Sequence, residues 1–122
     1  MFVWNEGDII DCLGVVPEID EYETRHRFLV TDNGLTLELS LCQYDGDIDV
    51  RIYQDGLEPA VVEFGIVGSD AMRRVHSADE DYLEIGAATL FGGRYDGDGP
   101  IPYGVRVYTK PSIRVAFFRA RM

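Results

Sequence analysis

Leu35-Thr36-Leu37-Glu38-Leu39-Ser40-Leu41-Cys42 places leucine at every second position, and Tyr44-Asp45-Gly46-Asp47 then leads into Ile48-Asp49-Val50-Arg51-Ile52-Tyr53, which alternates again. A period of two is that of a strand with one buried face. Asp-Gly between two such runs signals a hairpin, because both central turn positions need a positive φ. With the turn at Asp45-Gly46, Leu41 falls opposite Val50 and Leu39 opposite Ile52, while Ser40 faces Arg51 and Glu38 faces Tyr53. All the apolar partners then share one face, an agreement that a one-residue slip would destroy.

The same pattern continues outward. Arg25 to Thr31 runs into Asp32-Asn33-Gly34, a second turn signal, and beyond the loop Asp55-Gly56-Leu57-Glu58-Pro59 the run 60–67 carries Val62, Phe64 and Ile66 on one face. Val105 to Thr109 and Ile113 to Phe117 flank Lys110-Pro111-Ser112 as a last hairpin. Residues 71–91 read as a hairpin with a 77–81 loop, setting Val75 opposite Leu83 and Arg74 opposite Glu84. Ser77-Ala78-Asp79-Glu80 also fits a capping box, which keeps one short helix near 78–85 as the alternative. Residues 5–21 read as an irregular acidic stretch with a short strand at Ile9-Ile10, and 92–104, rich in Gly and Pro, as the longest loop. The expectation is one globular domain over 1–122, all-β and mainly antiparallel, a small β-sandwich or barrel of about seven or eight strands.

Composition bounds the function. The 122 residues carry 22 acids and 11 bases, a net charge of −11, and at 46% hydrophobic the chain has the means to fold. No apolar run has membrane-spanning length, and Met1 to Asp8 has no basic leader. Two cysteines, Cys12 and Cys42, fit a reducing compartment, so a cytoplasmic protein is expected, with a single bridge between them left open. The charge is uneven: residues 1–24 hold seven acids and no base, and 99–122 hold five bases and no acid. The simplest expectation is that these two ends lie side by side and neutralise one another.

Catalytic signals are sparse. His76 beside Arg73 and Arg74 is a place for a small enzyme to be built, sequence does not bring Cys12 or Cys42 beside a histidine to make a dyad, and Gly68-Ser69-Asp70-Ala71 lacks the glycine a nucleophile elbow needs. Zinc lacks paired ligand spacing, and no cofactor is implied. Asp45 and Asp47, with Asp96 and Asp98 from another loop, offer alternate carboxylates to a cation such as Ca²⁺, but Val50 stands where a calcium-loop turn needs glycine. Arg94, Tyr95, Asp96, Asp98 and Tyr103 of the long loop are residue types that make partner contacts. An acidic chain lacks the footprint of a nucleic-acid binder, whereas it attracts a basic partner by long-range steering. The leading expectation is therefore a non-catalytic binding protein of inhibitor or toxin-neutralising type that engages a basic protein. A module binding a small ligand, sugar or Ca²⁺ through the acidic turns and the 92–104 loop stands second, and an enzyme using His76 third.

Overall fold

A computed structural model describes residues 2–87, 101 and 103–119. The fold is mostly antiparallel β. Strands β1 (Glu18–Ile19), β2 (Arg25–Asp32), β3 (Leu35–Cys42), β4 (Asp47–Gln54) and β5 (Val62–Ile66) form one sheet in chain order. Strands β6 (Met72–His76), β7 (Asp81–Gly86), β8 (Tyr103–Tyr108) and β9 (Arg114–Arg119) form a second. The apolar faces of both meet in one core: Phe28, Leu37, Leu39, Val50 and Ile52 from the first sheet, Met72, Leu83, Ile85, Val105 and Val107 from the second.

The alternation that marked β3 and β4 puts the expected residues inside, but the register is shifted by two. Leu41 pairs with Ile48 and Leu39 with Val50. The cause lies in the turn. Asn33 and Gly34 both take positive φ (54° and 83°), so β2 and β3 are joined at the expected turn by a two-residue loop. At the next turn only Gly46 does (74°), so the loop lengthens to Gln43-Tyr44-Asp45-Gly46, with the Gly46 N–H donating to the Cys42 carbonyl at 2.9 Å. Because the shift is even, every leucine keeps its face.

Residues 72–86 form a hairpin, and β7 occupies the place where a helix near 78–85 was the alternative. Its loop is 77–80, not 77–81: the Ser77 N–H donates to the Glu80 carbonyl (2.8 Å) and the Ser77 hydroxyl accepts from the Glu80 N–H (3.2 Å). The register therefore moves by one, placing Arg73, not Arg74, opposite Glu84 and Val75 opposite Tyr82.

The helix lies instead in the stretch expected to be irregular. α1 (Glu6–Leu13) starts at Asn5, whose side chain accepts from the Asp8 N–H at 3.0 Å, and ends at Gly14. Glu6 and Asp8 in its first turn suit the dipole, and Ile9, Cys12 and Leu13 bury one face against β6 and β7. No described helix is long and apolar enough to cross a membrane. Cys12 and Cys42 are free thiols.

Candidate functional site

Charge on the two sheets is arranged in ladders. Across the first sheet, Glu18, Arg27, Glu38, Arg51 and Glu63 alternate in sign, at 3.2, 2.6, 3.2 and 3.8 Å between successive members. Glu38 is nearly buried; burial opposes its ionisation, but hydrogen bonds from Arg27 and Arg51 outweigh this and hold its carboxyl below the usual range. Across the second sheet, buried Glu84 is shared by Arg73 (3.0 Å) and Arg106 (3.1 Å), and Arg106 also lies over the rings of Tyr82 and Phe118. These pairs use up bases. The C-terminal Arg106 and Lys110 are taken by β7 acids, and Glu6 and Glu18 of the N-terminal segment turn to His26 and Arg27 of β2. The expected neutralisation of one chain end by the other does not occur among these pairs.

A group of acids without described basic partners stands at one end of the molecule, where hydrogen bonds tie several loops together. The Gln43 N–H donates to the Thr24 carbonyl (3.1 Å), and its side-chain amide donates to the Glu23 carbonyl. The Ser69 N–H donates to Gly46 (2.9 Å), the Gly68 N–H to the Asp47 carboxylate (2.9 Å), and the Val3 N–H to Asp70 (2.9 Å). The 20–24, 43–47 and 67–70 loops and the N-terminal residues around Val3 thus form one surface. Asp20, Glu21, Glu23, Asp45 and Asp47 stand on it with no described basic partner, and Arg25 reaches only Asp49, at 3.8 Å. Among these acids Tyr22 is 76% exposed, Tyr44 70% and Val67 79%.

A recess of about 340 Å³ opens beside the same loops, lined by Trp4, Glu6, Ile19, Glu23, His26 and Gln43. His26 is on the core-facing side of β2 with Phe28 and Val30; its Nε2 lies 3.0 Å from Glu6 and its ring meets the edge of Trp4 at 4.9 Å. His26 Nδ1 is buried without a partner in the described structure.

At the other end of β7 lies a groove of about 500 Å³ containing His76, Ser77, Tyr108, Lys110 and Arg114. Asp81 is its hub. Arg74 grips both carboxylate oxygens (2.7 and 2.8 Å), Lys110 adds a contact at 3.2 Å, and His76 stands 3.6 Å away. The hydrogen bonds from Arg74 hold Asp81 far below the usual carboxylate range. Cys12, on the buried face of α1, is pushed up to about 12, first by burial and then by Asp81. His76 therefore faces a carboxylate already saturated by two cations, and the neighbouring thiol is not a nucleophile at neutral pH.

Of the contact residues expected from sequence, Arg94, Tyr95, Asp96 and Asp98 lie outside the described residues. Their flanks do not: Ala87 and Ile101 sit by Gly86, whose N–H donates to Ala71 and whose carbonyl accepts from Ser69, next to the acidic loops. Tyr103 begins β8 half-buried, its hydroxyl donating to the Ala87 carbonyl. Asp45 accepts from the Asp47 N–H (3.2 Å), and no cluster of three or more metal-ligating side chains occurs among the described residues. Tyr22 and Tyr44 were not singled out by the sequence reading; only loop exposure reveals them.

No family model and no curated protein matches the chain. Among solved structures, it is similar to a chain of the contact-dependent growth inhibition toxin–immunity protein complex from Klebsiella pneumoniae 342. The match has a TM-score of 0.70 at 12% identity and covers 95% of this chain and 94% of that one. At that identity, the likeness is one of fold.

Proposed function

We propose that this chain is a non-catalytic binding protein whose acidic end engages a basic protein, as an inhibitor that neutralises a toxin would. The observation that carries this reading is the surface where Tyr22 and Tyr44 stand exposed among Asp20, Glu21, Glu23 and Asp45, none with a described basic partner. Exposed tyrosines are the residue type that anchors interfaces, and uncompensated charge steers encounter. The fold likeness adds support, since its complex joins a toxin to an immunity protein. Of those two roles, the acid excess, the buried Cys12 and the saturated Asp81 beside His76 favour the inhibitor. Affinity capture from the cell that encodes the chain, read by mass spectrometry, should recover one dominant basic protein whose association slows steeply with added salt. No partner at low salt would sink the proposal; undiminished capture by a variant with Asp20, Glu21, Glu23 and Asp45 all made amides would move binding off this end.

A further inference from the structure

We infer that the recess between Trp4, Glu6, Glu23, His26 and Gln43 is an anchor pocket for one guanidinium group, the side chain of an arginine on the basic partner. The inference rests on the reading of the acidic end as the partner surface and names what that surface takes hold of.

The walls select charge first. Glu6 stands with one oxygen 3.0 Å from His26 Nε2, which leaves the second oxygen for a guest. Glu23 reaches the recess from a turn in which it holds a left-handed φ of 56°, its N–H donating to the Asp20 carbonyl at 3.0 Å, and its carboxylate has no described partner. Two carboxylates repel any anion. A divalent metal is not served either, because no set of three ligating side chains converges among the described residues. An organic cation remains.

Shape then separates guanidinium from ammonium. A guanidinium is planar and weakly hydrated, stacks on aromatic faces, and presents five N–H donors that fit carboxylates in pairs, whereas an ammonium is a compact, strongly hydrated point charge. Trp4 supplies an indole wall, and Glu6 and Glu23 supply acceptors from two separate elements. His26 adds a further reason. With a proton on Nε2, 3.0 Å from Glu6, the ring leaves Nδ1 as an acceptor, buried and unanswered, on a residue that lines the recess. A guest rich in N–H donors answers such an atom. Pocket walls held in place before binding also reduce the ordering cost of the encounter.

Trp4 is the one tryptophan of the chain and lines this recess, so its fluorescence reports on a wall of the pocket. The folded protein is titrated, at fixed ionic strength, with N-acetyl-arginine amide, with its lysine counterpart, and with neutral N-acetyl-citrulline amide of nearly the same shape. The arginine derivative should give a saturable change in the millimolar range, citrulline none, and lysine binding should be weaker by about tenfold. Glu6→Gln and Glu23→Gln should each weaken arginine binding by about tenfold. Glu23 is exposed, so its variant keeps the test open if Glu6→Gln disturbs α1. No saturable response, an equal response to citrulline, an equal affinity for lysine, or unchanged binding by Glu23→Gln would each overturn the pocket. Because the probe is a free amino-acid derivative, such a failure leaves the partner reading to its own capture experiment; failed capture with arginine amide still bound would remove the partner reading instead.

Discussion

Substituting Gly46→Ala should unlock the acidic end, and its cost can be worked from two local facts. Gly46 holds φ at +74°, where an alanine is strained by about 1 kcal/mol relative to glycine. A Cβ there would also lie 2.2 Å from the Ser69 carbonyl oxygen, a backbone atom that cannot swing aside. Relief requires the 43–47 and 67–70 loops to part, stretching the 2.9 Å bond from the Ser69 N–H to the Gly46 carbonyl, which adds about 1 kcal/mol. Together these come to about 2 kcal/mol, and for a chain of this length the melting temperature should fall by about 8 °C. Gly34→Ala is the internal control: φ is +83° but nothing lies within 4 Å of the new Cβ, so only the backbone strain remains, with a fall of about 4 °C. Thermal unfolding followed by circular dichroism at pH 7 measures both. Equal falls would refute the claim that the Ser69 contact locks the loops, whatever the absolute values. The same pair separates function, since Gly46→Ala should weaken capture of the partner while Gly34→Ala leaves it unchanged.

Glu38 has a lowered carboxyl pKa, so its ion pairs stabilise the fold above the ordinary carboxylate range and are lost as pH falls through the folded-state value. Glu38→Gln should therefore flatten the dependence of melting temperature on pH below about 5, and a variant as acid-sensitive as the parent would count against the ladder. Cys12 should resist thiol reagents in the folded protein at pH 8, and Asp81→Asn should raise its reactivity, because the carboxylate that helps to push the thiol up is gone; an unchanged modification rate would leave burial as the whole cause. Tyr22→Ala and Tyr44→Ala should leave the melting temperature where it is, both rings being exposed, yet each should weaken partner binding by about 2 kcal/mol in calorimetry. Loss of binding without loss of stability is the decisive combination.

The sequence made faces legible and distances illegible. The leucines of β3 and the Val62, Phe64, Ile66 series of β5 land on the core side, Val62 and Phe64 only partly buried, because a period of two survives any even shift. The shift itself depends on which turn residues take positive φ, and at Gly46 that choice is tied to Ser69, more than twenty positions away. The helix was legible in principle: Asn5 at one end, Gly14 at the other, acids in the first turn and Ile9, Cys12 and Leu13 at helical spacing are ordinary start and stop signals. An Ile-Ile pair in an otherwise β-rich chain masked them. The candidate site was legible only as chemistry. Acidic turns could be read off the chain, but that loops 20–24, 43–47 and 67–70 meet is a product of long-range hydrogen bonds, and so is the exposure of Tyr22 and Tyr44.

A net charge of −11 spread evenly would say little beyond solubility, and the ladders explain why it is not even. Ten of the eleven bases are arginines, and two on the first sheet are shared between acids: Arg27 bridges Glu18 and Glu38, and Arg51 bridges Glu38 and Glu63, while on the second sheet Glu84 holds Arg73 and Arg106 together. The paired charges on the sheets thus largely offset one another, and the acids left over include those of the loops that carry Tyr22 and Tyr44. Charge and contact area then act at different stages of one encounter. The loop acids are exposed, so salt should reduce the association rate. The tyrosines are buried only after docking, so their removal should raise the dissociation rate instead. An interface in which both perturbations acted on the same rate would be built on some other principle than this division.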